Sequence, residues 1–170
     1  MKRPPIPRAQ GGFAYIAAVI LLVLMAGMAT AIVRLNVSQA NAATGAALTA
    51  RASQAARAGL EWAFYQLSTG NAQFCVNKRV DLSDKRVDLA DFQKDTGFLV
   101  SVSCDVSSYN EGQDPTDGSV VVKNLYQVVA VACNGSSGSC PDNGGSAQVD
   151  YTERRRVATV CMTPAGGDCY

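Results

Sequence analysis

A chain of 170 residues has room for one domain and an anchor. Its formal charge of +1 leaves no electrostatic footprint for a polyanion, so no nucleic-acid partner is expected. It contains no histidine, which removes Ser–His and Cys–His nucleophile pairs, histidine metal sites and the usual general base near neutral pH. With no nucleophile motif either, the expectation is a protein without enzymatic activity and without a cofactor.

Residues 1–12 hold the cations Lys2, Arg3 and Arg8 and no acid. From Phe13 to Val33 there is no charge, and the next charged residue is Arg34. About 20 apolar residues of helix cross the ~30 Å hydrocarbon core. Lipid offers the backbone no hydrogen bonds, so such a segment is helical. The cationic leader holds the N-terminus in the cytoplasm and sends the rest of the chain across. An ordinary secretory signal ends in small residues after its apolar run. Here the small pair Gly11–Gly12 comes before it.

The helix is expected to continue. Arg34 to Leu67 has no proline and is rich in alanine, the best helix former. Val37, Ala40, Ala47, Leu48, Ala52, Ala55, Ala56, Gly59, Leu60, Ala63, Phe64 and Leu67 recur at three- and four-residue steps. Gly27, Gly45 and Gly59 are places for a bend or a thin section. Ser68-Thr69-Gly70-Asn71 is a stop signal, with Gly70 suited to the left-handed position. Small residues along the helix suit close lateral packing against similar helices, or a cover over the protein's own sheet. Arg57 and Glu61, four apart, form a helix-supporting pair of about 0.2–0.5 kcal/mol.

Residues 78–91 are a tandem repeat: Lys78-Arg79-Val80-Asp81-Leu82-Ser83-Asp84, then Lys85-Arg86-Val87-Asp88-Leu89-Ala90-Asp91. Two units make no solenoid. A duplicated surface loop fits, and short strand and short helix both remain open for it. Phe98 to Val106 alternates apolar and polar residues and predicts a strand. Asn110 to Gly118 is a turn cluster. Val120 to Cys133 and Gln148 to Met162 predict two further strands, separated by a Gly/Ser/Asn loop. The expectation is an α+β fold: a small antiparallel sheet covered by the second half of the long helix, with residues 71–170 as the globular part. Arg154-Arg155-Arg156 reads as a solvated edge. Asp114 and Asp117 suit either a calcium loop or a turn, with Pro115 and Gly118 favouring the turn.

Cys75, Cys104, Cys133, Cys140, Cys161 and Cys169 all follow the apolar segment. An even count on a translocated side reads as disulfides. A zinc site would show Cys-x-x-Cys pairs, and there are none. Proximity suggests Cys133–Cys140 and Cys161–Cys169, which leaves Cys75–Cys104.

The basic leader, the Gly12–Phe13 junction and the unbroken apolar helix together resemble a type IV prepilin signal. The resemblance implies cleavage by a prepilin peptidase between Gly12 and Phe13 and methylation of the new N-terminus. It implies a pilin-like fold, with 1–12 as leader and 13–70 as the helix. Members of that family carry glutamate at the fifth mature position, which here is Ala17. The block from Gln54 to Tyr65, centred on Ala-Arg-Ala-Gly-Leu-Glu-Trp, is similar to the MshP-type proteins of MSHA (mannose-sensitive haemagglutinin) pilus biogenesis. So are the placement of Cys75, the strand ending Ser103–Cys104, and the runs Tyr126 to Asn134 and Tyr151 to Arg154. That similarity implies a minor pilin of an MSHA-type pilus. It would be held in the bacterial inner membrane with its globular part in the periplasm, then carried into the surface pilus. The implied partners are major and minor pilins, met through the helix, and the inner-membrane assembly machinery. Two other readings stay open: a tip adhesin that contacts a ligand through loops 134–139 and 162–168, and a type II secretion pseudopilin of the tip class.

Overall fold

The computed structural model describes residues 11–170 apart from Leu82, Ala165, Asp168 and Tyr170, and the side chains from Tyr15 onward. Most of the expected leader therefore lies outside the described residues. Helix α1 spans Gly11–Ser68, so it begins two residues before Phe13. The chain divides into two compact units, Met1–Thr44 and Gly45–Tyr170.

The described part of the first unit is helix alone. Every side chain from Tyr15 to Thr44 is exposed, including Ile16, Leu21, Leu22, Met25, Met28, Ile32 and Leu35. Two of its hydroxyls bond back onto the helix. Thr30 Oγ1 donates to the Gly27 carbonyl at 2.8 Å and Thr44 Oγ1 to the Ala40 carbonyl at 3.0 Å. Such back-bonding hides a hydroxyl from an apolar surrounding.

In the second unit the rest of α1 lies across one face of a mixed sheet. Ala52, Ala55, Ala56, Ala63 and Leu67 are buried there against Val100, Val102, Cys104, Val128, Ala130 and Ala132. The small side chains let the helix come close. At Gly59 the approach is close: a Cβ there would sit 2.6 Å from Val100 Cγ1 and 3.3 Å from Ala130 Cβ. Gly59 is thus a point of close helix–sheet contact, and the helix runs through it. α1 ends as its sequence predicts. Gly70 takes φ 77°, the Asn71 N–H donates to the Gln66 carbonyl at 2.8 Å, and the Gly70 N–H donates to the Leu67 carbonyl at 3.1 Å. This is a Schellman-type stop.

The sheet holds β1 (Cys75–Val76), β2 (Arg86–Leu89), β3 (Leu99–Gln113), β4 (Val120–Cys133) and β5 (Glu153–Met162), with α2 (Ala90–Thr96) between β2 and β3. β3, β4 and β5 form the expected antiparallel meander. The sheet as a whole is mixed, which corrects the purely antiparallel expectation: β1 runs parallel to β3, pairing Cys75 with Cys104. β2 runs antiparallel on the same side of β3, pairing Arg86 with Ser103 and Leu89 with Val100. A two-residue strand leaves no alternation to read, and here the cystine at its first residue fixes its place.

Two strand limits also differ from the sequence reading. β3 continues to Gln113, into the first part of the expected turn cluster, because Asn110, Gly112 and Gln113 pair with Val122, Val121 and Val120 across a bulge, and the turn itself stands at 115–117. Gly112, at φ 126°, supplies the backbone freedom this needs. β5 starts at Glu153 and not at Gln148. The segment before it is held in a loop by Asn134, whose side chain donates to the Asp150 carbonyl and accepts from the Thr152 N–H.

The repeat folds two ways. The first copy forms a turn at 78–80 and leaves Val80 84% exposed. The second forms β2 and then enters α2 at Ala90, so strand and helix both occur within it. Val87 and Leu89 pack on the helix-side core, and Asp88 accepts from the Ser101 hydroxyl. The opposite face of the sheet holds a smaller core of Leu99, Val131, Cys133 and Cys140, with Val129 and Tyr151 against it.

Candidate functional site

The apolar stretch of α1 is a chemically distinct surface. Among the described side chains, Tyr15 to Val33 presents no charge on any side of the helix, and Arg34 closes the run. This one helix is long and apolar enough to cross a membrane. Ala17 lies within it, exposed. Gly12 and Phe13 belong to the same helix. Such a surface can dissolve in lipid or pack against other apolar helices.

The sheet unit carries three cystines: Cys75–Cys104, Cys133–Cys140 and Cys161–Cys169. These are the pairs that proximity along the chain suggests. With sequence separations of 7 and 8, the two short loops contribute about 2.5 kcal/mol each in the chain-entropy account. The separation of 29 at Cys75–Cys104 gives about 3.6 kcal/mol.

The loop between β4 and β5 is organised by a residue the sequence reading passed over. Asp142 is 4% exposed, although it sits in a Gly/Ser-rich loop. One carboxylate oxygen accepts from the N–H groups of Ser136 (3.0 Å) and Ser137 (3.2 Å). The other accepts from Gly144 (3.0 Å) and Gly145 (2.9 Å). The Gly145 N–H bond, and then those of Ser136, Ser137 and Gly144, hold this carboxyl below the ordinary aspartate range against the opposing effect of burial. A Cβ at Gly135 would run into the carboxylate and one at Gly145 would lie 2.7 Å from it, so the backbone closes around it. The Asp142 N–H donates to the Tyr151 oxygen, and the Tyr151 hydroxyl donates to Glu153 at 2.5 Å. Burial, then the bond to Glu153, push the Tyr151 phenol up. The available signal is an aspartate amid glycine and serine, a residue type that gathers backbone N–H groups.

The arginines of β5 stand on an edge strand and are exposed, as expected of a solvated edge. Two also reach back to the helix: Arg154 donates to the Thr49 hydroxyl at 3.2 Å and Arg156 to the Ser53 hydroxyl at 2.6 Å. Arg57 and Glu61 form their pair at 3.1 Å, both exposed, in the range where such pairs contribute little. A groove of about 590 Å³ between α1 and α2 is lined by Arg51, Gln54, Ala55, Phe92, Asp95 and Thr96. Asp114 and Asp117 spend their carboxylates locally, accepting from the Thr116 N–H (2.7 Å) and the Ser119 N–H (2.9 Å) as turn residues do. Among the described residues no three cysteine, aspartate or glutamate side chains converge as a metal site.

Comparison with protein-family models, with curated proteins and with solved structures finds no match.

Proposed function

We propose that the chain is a minor pilin-like subunit, cut by a prepilin peptidase between Gly12 and Phe13, that primes an MSHA-type type IV pilus or sits at its tip. One observation carries this reading. A charge-free helix behind a short basic leader runs on without a break into an alanine-faced half that covers a small, cystine-tied sheet. An anchor whose work ended at the membrane would have no need of that continuity. A fibre subunit does need it, because one helix must serve both as membrane anchor and as packing element. The apolar half would lie in the inner membrane before assembly and against the helices of other pilins afterwards. The sheet unit would be periplasmic, then at the cell surface.

Ala17 refines the position. A carboxylate at the fifth mature residue would pair with the N-terminal amine of a neighbouring subunit, and an unpaired charge in lipid costs several kcal/mol. With alanine that contact is absent, which suits a subunit that starts or ends the fibre better than one that repeats along it. Intact mass and N-terminal sequencing of protein recovered from cells test the reading. The expected mature chain begins at N-methylated Phe13. A mature chain that retains Lys2 and Arg3 would remove it.

A further inference from the structure

Besides the short edge strands β1 and β2, the sheet has three stretches of outer edge, and they are not treated alike. β5 carries exposed Arg154, Arg155 and Arg156, charges of the kind that keep an edge from pairing with other strands. The outer edge of β3 beyond β1 is interrupted by the bulge at Asn110/Gly112. It is also flanked by Lys78, paired with Asp105 at 3.3 Å, and by Arg79 over the Tyr109 ring at 5.8 Å. The third stretch is β4 from Val120 to Lys123. Its pairing with β5 starts only at Asn124, so β3 is its sole strand partner among the described residues. Here the residues are Val120, Val121 and Val122, with no bulge on this strand and no proline. The one charge, Lys123, is tied to Glu111 at 2.5 Å.

This end of β3 and β4 is a two-stranded ribbon, an arrangement marginal in water without further packing. The valines also lack apolar cross-strand neighbours. Val120 faces Gln113, Val121 faces Gly112 and Val122 faces Asn110. Val120 is 53% exposed. Among the described residues no strand lies beyond this edge, and its β-branched side chains find no apolar match within their own ladder.

We propose that this edge pairs with the same edge of a second copy of the chain, antiparallel about Val121, to make one continuous sheet. The valine run is its own complement: Val121 would face Val121, and Val120 would face Val122, giving the apolar cross-strand pairs that β3 does not supply. A two-fold arrangement of this kind closes on itself, so it makes a dimer and no open aggregate. The edge is four residues long, which makes the contact a transient one. This inference stands on the sheet alone and does not depend on the pilus reading.

The test uses the full chain in detergent micelles under mild oxidation, followed by non-reducing electrophoresis. All six native cysteines are paired, so an introduced cysteine is the only free thiol. Opposed residues in an antiparallel pair have Cα atoms about 4.5–5.5 Å apart, within disulfide reach. Val121→Cys should therefore give a covalent dimer. Val120→Cys and the turn control Asp117→Cys should give about tenfold less, since each would lie beyond the ~7 Å limit from its own copy. Val122→Lys added to Val121→Cys should abolish the dimer while leaving the monomer's melting temperature unchanged. No dimer from Val121→Cys, or equal dimer from all three cysteine positions, would overturn the proposal.

Discussion

At the scale of single residues, the sheet unit depends on side chains that replace secondary structure where the backbone has none. Asp142 does this for the β4–β5 loop by accepting four backbone N–H groups. Its acidity yields a prediction. The folded carboxyl titrates below its unfolded value, so its contribution is complete above the unfolded pKa of about 4 and is lost as pH falls through the lower, folded value. The melting temperature should fall on acidification below about pH 4. In Asp142→Asn that dependence should be weaker and stability at neutral pH lower, because an amide turns donors toward donors. Thermal melts from pH 7 to pH 2.5 read both effects, and an unchanged acid limb in the variant would contradict the assignment. The cysteines show the opposite degree of legibility. Closeness in sequence is enough to pair Cys133 with Cys140 and Cys161 with Cys169, whereas burial of Asp142 is not visible in a stretch whose composition suggests only an open loop.

At the scale of elements, α1 is legible because two local signals agree along it: an unbroken apolar run, then alanine and glycine at helical spacing. The first part of β3 is legible from alternation, and β4 from its long apolar, β-branched run. The exceptions share a physical cause. Val80 and Val87 occupy equivalent places in identical pentapeptides, yet only Val87 has a core to pack on, so only the second copy becomes a strand. β1 exists because Cys75 is bonded opposite Cys104, and the far end of β3 exists because Val120, Val121 and Val122 offer a ladder to residues that read as a turn. In each case a partner distant in sequence decides. The glycines of α1 separate local from tertiary roles in the same way. Gly45 has open space around its Cβ position, so Gly45→Ala should gain up to about 1 kcal/mol from helix propensity alone. Gly59→Val should instead cost about 2 kcal/mol or more, because its side chain enters the space held by Val100 and Ala130. Chemical denaturation of the two variants tests the pair. Destabilisation by both, or by neither, would mean that Gly59 does not mark a close helix–sheet contact where Gly45 has none.

At the scale of the whole molecule, the sequence shows what α1 can do but not where it does it. The charge-free stretch of α1 can lie in a bilayer or among other apolar helices, and which of these surrounds it depends on partners that the fold does not contain. The substituted position in that helix turns the question into an experiment. On the proposed reading, Ala17 denies this subunit the carboxylate–amine contact used at each step of fibre growth. The protein should then be scarce in sheared fibres, and immunogold label should collect at one end. Ala17→Glu reverses the chemistry. A carboxylate in the apolar helix costs about 2.5 kcal/mol or more when unpaired, so membrane insertion alone should be penalised. Inside a fibre, the amine of a neighbouring subunit would offset that cost. The variant should therefore either enter the shaft, moving label along the fibre, or stall initiation and lower the number of fibres. Label spread uniformly along fibres of the unmodified protein would show that repeated docking proceeds without the carboxylate. An Ala17→Glu strain that matches the parent in both fibre number and label distribution would show that position 17 does not set this subunit's place.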